Sequence, residues 1–194
     1  MVGDHQTSER VYGLLKAELL SGRRTTDRLN INAMAQKYEA SATPVREALL
    51  RLVGEGLVDM PTSGGFVLPQ IDEAIALDCY EFSLFLALLI CEHASTQRAG
   101  DIAASRLAYP IDALLAAMAR DFGNDEIRAA VVRLNDRMTP IRLMEEMRLP
   151  GLDAEYGSLL KAVRCGDIAV TRKNLRKYHH RRKRNVGRIL GTSA

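Results

Sequence analysis

The stretch Ser41 to Leu57, SATPVREALLRLVGEGL, leaves the chain little choice of local structure. Val45, Ala48, Leu49 and Leu52 recur at helical spacing and give a helix one face to bury. Ser41 is an N-cap residue type whose hydroxyl can accept from a free N–H of the first turn, and Pro44 falls in that turn, where a missing N–H matters little. Gly54 and Gly56 supply the stop. Arg46, Glu47 and Arg51 lie off the apolar stripe.

The flanking segments turn this helix into part of a motif. A shorter helix, Asn30 to Tyr38, precedes it, capped by Asn30 and with Ile31, Met34 and Ala35 facing inward. Glu39-Ala40-Ser41 is the turn between the two, and two short helices joined this tightly form a helix-turn-helix. Leu57 to Met60 and Phe66 to Pro69 are apolar runs around Pro61-Thr62-Ser63-Gly64-Gly65, the pattern of a β-hairpin. A further helix, about 8–20, carries Val11, Leu14, Leu15, Leu19 and Leu20 on or beside one face, with Thr7 or Ser8 as its cap. Arg23 and Arg24 follow it, either as a solvated turn or as phosphate contacts.

Leu29 to Ala35, Thr43-Pro44-Val45-Arg46-Glu47-Ala48-Leu49, Glu55-Gly56-Leu57-Val58 and Pro61 to Val67 together resemble the signature of the GntR family of bacterial transcription regulators. The resemblance covers about the first seventy residues and implies a winged helix-turn-helix. It implies that Ser41, Thr43 and Arg46 touch DNA backbone or bases, that Asn32 approaches the major groove, and that Gly64 and Gly65 bring the wing against the minor groove. The residue types suit this: Arg46 can engage guanine or phosphate bidentately, Asn32 can pair with adenine, and glycine lets backbone come close. Two arginines of the family pattern are missing, replaced by Ala42 and Ser63. Their loss implies weaker binding or an unusual operator.

Beyond a short linker from Pro69 to about Asp72, the chain is helix-like over about 71–98, 103–121, 124–147, 153–164 and 168–190. Breaks fall at Gly100, Tyr109-Pro110, Gly123, Pro150-Gly151 and Gly166. The expected fold is mostly α: a winged helix-turn-helix over residues 1–69 and an all-helical bundle over 70–194. Tyr80-Glu81, Gly123-Asn124, Glu155-Tyr156, Leu159 to Val163 and Gly166-Asp167 resemble the FCD-type effector domain of one GntR subfamily. That resemblance implies a small-molecule pocket with a divalent metal held by an acidic residue and three histidines. Here the histidine positions are Leu115, Tyr156 and Tyr178, and Asp112 lies one place from the acidic position. Leu cannot donate to a metal, so no metal or other cofactor is expected. His179 and His180 could supply one ligand if the register slips, and otherwise read as solvated side chains in a basic run. The effector-site candidates are Ser83, Asp112, Tyr156 and Tyr178, with Ser83 standing where an arginine is common in the family. The tyrosines either line a surviving pocket or fill it.

Charge is unevenly distributed. Residues 1–70 carry eight Lys/Arg against eight Asp/Glu, residues 71–163 nine against fifteen, and residues 164–194 ten against one. Phosphate neutralisation supplies most non-specific DNA affinity, so a neutral first segment implies weak binding at physiological salt. The last helix, TRKNLRKYHHRRKRNVGRIL, can bury Leu175, Tyr178, Val186, Ile189 and Leu190. Its basic residues either complement the acidic middle segment, the preferred reading, or attract nucleic acid.

No catalytic triad, Walker loop or dinucleotide fingerprint is present, and an enzyme is not expected. Cys79, Cys91 and Cys165 are widely spaced and read as buried thiols of a reducing compartment. No run of eighteen apolar residues occurs, and the opening MVGDHQTSER lacks the layout of a signal peptide, so a cytoplasmic protein without membrane contact is expected. The expected function is transcriptional regulation, more often repression, by a homodimer that reads a palindromic site in double-stranded DNA and responds to a small molecule. The alternative is a protein-interaction module whose winged domain no longer reads DNA.

Overall fold

The computed structural model describes residues 2–21, 27–93 and 109–192. The chain divides into two compact units, Met1–Gln70 and Ile71–Ala194. Among the described residues no helix is long and apolar enough to cross a membrane.

In the first unit α1 (Val2–Leu20), α2 (Ile31–Lys37) and α3 (Ala42–Gly54) enclose a core of Val11, Leu15, Val45, Ala48, Leu49, Leu52, Leu57, Val58 and Phe66. α1 begins six residues before the expected start, and Leu14 points outward, at 46% exposure, because the i, i+4 pair Val11 and Leu15 takes the inward phase. Asn30 caps α2 through its side chain, which accepts from Asn32 N at 2.9 Å and Ala33 N at 3.1 Å. α3 stops at Gly54, the first of the two glycines that mark its end in the sequence. Gly56 turns the chain at φ 72°, and Leu57 N donates back to Leu52 O at 3.0 Å.

Two-residue strands β1 (Arg28–Leu29) and β2 (Phe66–Val67) pair antiparallel, with Arg28 opposite Val67 and Leu29 opposite Phe66. The expected hairpin is present only as a bridge from Asp59 to Val67, with N···O distances of 2.8 and 2.9 Å. The wing therefore borrows a strand from the segment before α2, a partner too short to show as alternation in the sequence.

The second unit comprises α4 (Glu73–Ile90) with a 3-10 turn at Cys91–His93, α5 (Pro110–Phe122), α6 (Asp125–Arg148), α7 (Leu152–Arg164), α8 (Ile168–Arg184) and α9 (Val186–Leu190). Pro110 opens α5, Gly123 ends it at φ 74°, and Asp72, Asn124 and Asp167 cap α4, α6 and α8 with their side chains. The sequence suggests one helix over 168–190, but the ladder breaks at Asn185. Its amide Nδ2 donates to Arg181 O at 2.7 Å, competing with the backbone for that carbonyl. Cys79 and Cys91 are buried as expected, whereas Cys165 is exposed because it sits on the cap of α7. The expected break at Gly100 and the start of the helix at 103 lie outside the described residues, as do Arg23, Arg24 and the side chains of His5 and His93.

Candidate nucleic-acid interface

Pro44, Val45, Ala48, Leu49 and Leu52 anchor α3 in the core, which turns Ala42, Thr43, Arg46, Glu47 and Leu50 to solvent. Ser41 lies at the N-cap with extended backbone, but its hydroxyl makes no cap bond. The reason is local. A serine cap bonds the N–H of the second or third helical residue, and the third is Pro44, which has none. The expected capping role is thus absent, and Ser41 stands exposed beside Thr43.

Arg46 makes no hydrogen bond or ion pair among the described residues, whereas its basic neighbours are occupied. Lys16 pairs with Glu55 at 2.8 Å, Lys37 with Glu18 at 2.6 Å, and Arg51 with Glu9 at 2.6 Å. Arg51 also covers the ring of Tyr12 at 3.7 Å, and Tyr12 donates to Glu55 at 2.7 Å. These contacts tie α1 to α2 and α3 and hold the helix-turn-helix angle. The turn itself is tight: Glu39 takes φ 50°, a strained value for a residue with a Cβ.

Asn32 is exposed on the first turn of α2. At the wing, Gly64 donates to Pro61 O at 2.8 Å, and Gly64 and Gly65 have φ 82° and 84°. A side chain at either would be strained, so the tip stays bare backbone. A Cβ on Gly65 would lie 3.5 Å from Arg28 Nη2. Arg28 thus brings a guanidinium to the wing beside Gly65. Its sequence neighbourhood gives no hint of this, because the contact depends on the β1–β2 pairing.

In the second unit the four effector-site candidates are not brought into one cluster of free groups. Asp112 is buried, and its carboxylate is held by the equally buried Arg142. Ser83 is buried and lies 3.0 Å from His179 Nε2. Tyr156 and Tyr178 do come together, their ring centroids 6.1 Å apart, and Arg182 stacks on Tyr178 at 3.3 Å. Burial pushes both phenols above the usual tyrosine range.

Two residues read as outward-facing are fully buried. Leu175, Tyr178, His179 and Arg182 share the inward stripe of α8, so His179 and Arg182 are core residues, not members of a solvated basic run. Arg182 Nε donates to Glu145 at 2.6 Å and its Nη1 to Glu155 at 2.8 Å, while Tyr80 donates to Glu145 at 2.7 Å. Arg181 pairs with Glu155 at 3.1 Å, and Arg172 and Lys183 pair with Glu92 and Glu81. The preferred reading of the last helix as complement to acidic partners therefore describes these four basic residues.

The donor set does not suit a divalent metal. Asp112 is engaged by a guanidinium, Leu115 has no donor atom, and the Tyr156 and Tyr178 phenols are held protonated. His179 Nδ1 donates to Leu175 O at 2.8 Å, which leaves Nε2 to accept from the Ser83 hydroxyl. Among the described residues no three His, Cys, Asp or Glu side chains converge.

Burial, reinforced by Arg182, Arg142 and His180, pushes His179 down to about 3, against one backbone hydrogen bond that favours its charge. Unfolded, an imidazole titrates near 6.5, so between about pH 6.5 and 3 the unfolded state carries the extra proton. The contribution is full above about pH 6.5 and declines on acidification, by at most about 1.4 kcal/mol per pH unit. Urea unfolding at pH 7.5 and pH 5 should show the wild-type chain losing about 1–2 kcal/mol more than His179→Gln over that interval. Equal losses in the two proteins would contradict this account.

Residues 7–68 match the family model of bacterial regulatory proteins of the gntR family. No curated protein sequence matches the chain. Solved structures resemble it over nearly their whole length. A GntR transcriptional regulator from Rhodococcus sp. RHA1 is 17% identical with a TM-score of 0.79, over 96% of this chain and 99% of that one. E. coli McbR/YncC is 20% identical with a TM-score of 0.70, over 97% and 99%. Listeria monocytogenes Lar, described as controlling expression of the agr system, is 15% identical with a TM-score of 0.54, over 93% and 96%. At these identities the likeness is one of fold: a winged helix-turn-helix joined to a helical unit. Residues 7–68 are thus a DNA-binding-type domain of the gntR family of bacterial regulatory proteins.

Proposed function

We propose that the chain is a cytoplasmic transcriptional regulator, acting as a repressor, that binds double-stranded DNA as a homodimer. Asn32, Ser41, Thr43 and Arg46 are its major-groove and phosphate contacts, and Gly64 and Gly65 bring the wing to the minor groove, with Arg28 beside them. The observation that carries this reading is Arg46, exposed near the start of α3 and unpaired among the described residues, while Lys16, Lys37 and Arg51 are held by carboxylates. A cation left free at the start of a recognition helix is what base or phosphate contact requires. Two-fold symmetry then makes the operator palindromic.

The helical unit, residues 70–194, is proposed as an FCD-like dimerisation and effector domain that works without a metal. A cleft of about 440 Å³ between α7 and α8 is lined by Glu155, Ser158, Asn174, Lys177, Tyr178 and Arg181, a mixed polar wall open to a small molecule. Of the four expected effector residues, Tyr178 borders this cleft, while Asp112 and Ser83 are tied into internal pairs. An effector would change DNA affinity only by binding one arrangement of the dimer more tightly than another. The reading is tested by the duplex sequences that purified protein enriches from a random pool, as set out below.

A further inference from the structure

We propose that the outer face of α8 is a second DNA-contacting surface, one that grips the phosphodiester backbone of duplex DNA without reading sequence. This rests on the proposed DNA-binding function. Four basic residues of α8 pair with acidic side chains of the same unit, as described above. Lys173, Arg176, Lys177 and Arg184, with Arg188 on α9, make no ion pair among the described residues.

The unpaired residues are not scattered. Lys173, Lys177 and Arg184 lie on one line along the exposed side of the helix, with His180, whose Nδ1 donates to Arg176 O at 2.9 Å, between the last two at steps of four, three and four. The line spans about 16 Å of helix rise. Duplex DNA presents about nine phosphate charges over that length. Lys177, His180, Arg181, Arg184 and Asn185 also border a shallow hollow of about 380 Å³, a concavity in which phosphate oxygens can approach several donors together. Asp167, the one acidic residue of the last 31, is spent on capping α8.

The first unit gives a reason for such a surface. It carries as many acidic as basic residues, and Lys16, Lys37 and Arg51 are bound to carboxylates within it. Sequence-independent affinity comes from neutralising phosphates, and three of the described cations of the winged unit are already held by carboxylates. The α8 line supplies further cations from the other half of the chain.

The test is the salt dependence of full-length protein binding to a 30-bp duplex of arbitrary sequence, for wild type, the triple variant K173Q/K177Q/R184Q, and K183Q, whose lysine is already paired with Glu81. Each lost phosphate contact removes about 0.9 from the slope of log K against log salt, so the triple variant should lose about 2.7 per chain and K183Q close to nothing. Melting temperatures should be unchanged, since the three side chains are exposed and unpaired; K177Q alone, with a loss of about 0.9, serves if the triple variant folds poorly. An unchanged slope with normal wild-type binding would overturn the second surface and leave the winged domain's role intact. Absence of any wild-type binding at low salt would overturn both. Weakened self-association without a change in slope would overturn it in favour of a contact between two copies of the chain.

Discussion

Replacing Arg182 with methionine should destabilise the helical unit by about 3–5 kcal/mol, measured by urea unfolding at neutral pH. The guanidinium is fully buried and answers two carboxylates, Glu145 at 2.6 Å and Glu155 at 2.8 Å, of which Glu145 is itself wholly out of solvent. Burial opposes the arginine's charge, but Tyr178, Glu145 and Glu155 more than offset that and hold it protonated. Methionine matches the aliphatic stem yet leaves the Glu145 charge, among the described residues, with the Tyr80 hydroxyl as its one side-chain donor at 2.7 Å. The cost is that of a stranded charge, not of a lost attraction. The double variant Glu145→Gln, Arg182→Met should therefore recover more than half of the deficit, because a neutral amide is far less expensive to leave in that position. A single variant that loses under about 1 kcal/mol, or a double variant no better than the single, would show that the network is not what holds α4, α6, α7 and α8 together.

Arg46→Ala should lower affinity for the operator by about 5- to 150-fold, the equivalent of about 1–3 kcal/mol for a bidentate contact. Arg46 has no partner among the described residues and is exposed, so the melting temperature should stay within about a degree of wild type, as for surface substitutions generally. The variant also separates two roles. A base contact makes the loss selective, with specificity relaxed at one position of each half-site, while a phosphate contact weakens all sequences alike and lowers the salt slope by about 1. Undiminished binding by Arg46→Ala would remove α3 from the proposed interface.

The helix-turn-helix was legible because its signals are local: an apolar stripe at 45, 48, 49 and 52, a proline in the first turn and a glycine stop lie within one short stretch. What the sequence hid depends on partners far away in the chain. Arg28 reaches the wing only through a two-residue strand pairing. Ser41 looks like a cap until the proline two residues past the start of the helix removes the donor it would bind. Arg182 and His179 sit in a run of eight basic or histidine residues among nine, where helical phase alone marks them as inward, and their partners Glu145, Glu155 and Ser83 lie on other helices. Asp112 read as a pocket residue because its arginine partner is 30 positions away. The same distance explains why the unit could be recognised as helical while its buried polar network could not be drawn.

Enrichment of duplexes from a random-sequence pool by the purified full chain tests the central claim most directly. Wild-type protein should enrich a recurrent inverted repeat, and that repeat should be lost, with folding intact, when Thr43 and Arg46 are both changed to alanine. A pool no different from the input at low salt, or the same repeat recovered by the double variant, would contradict that claim.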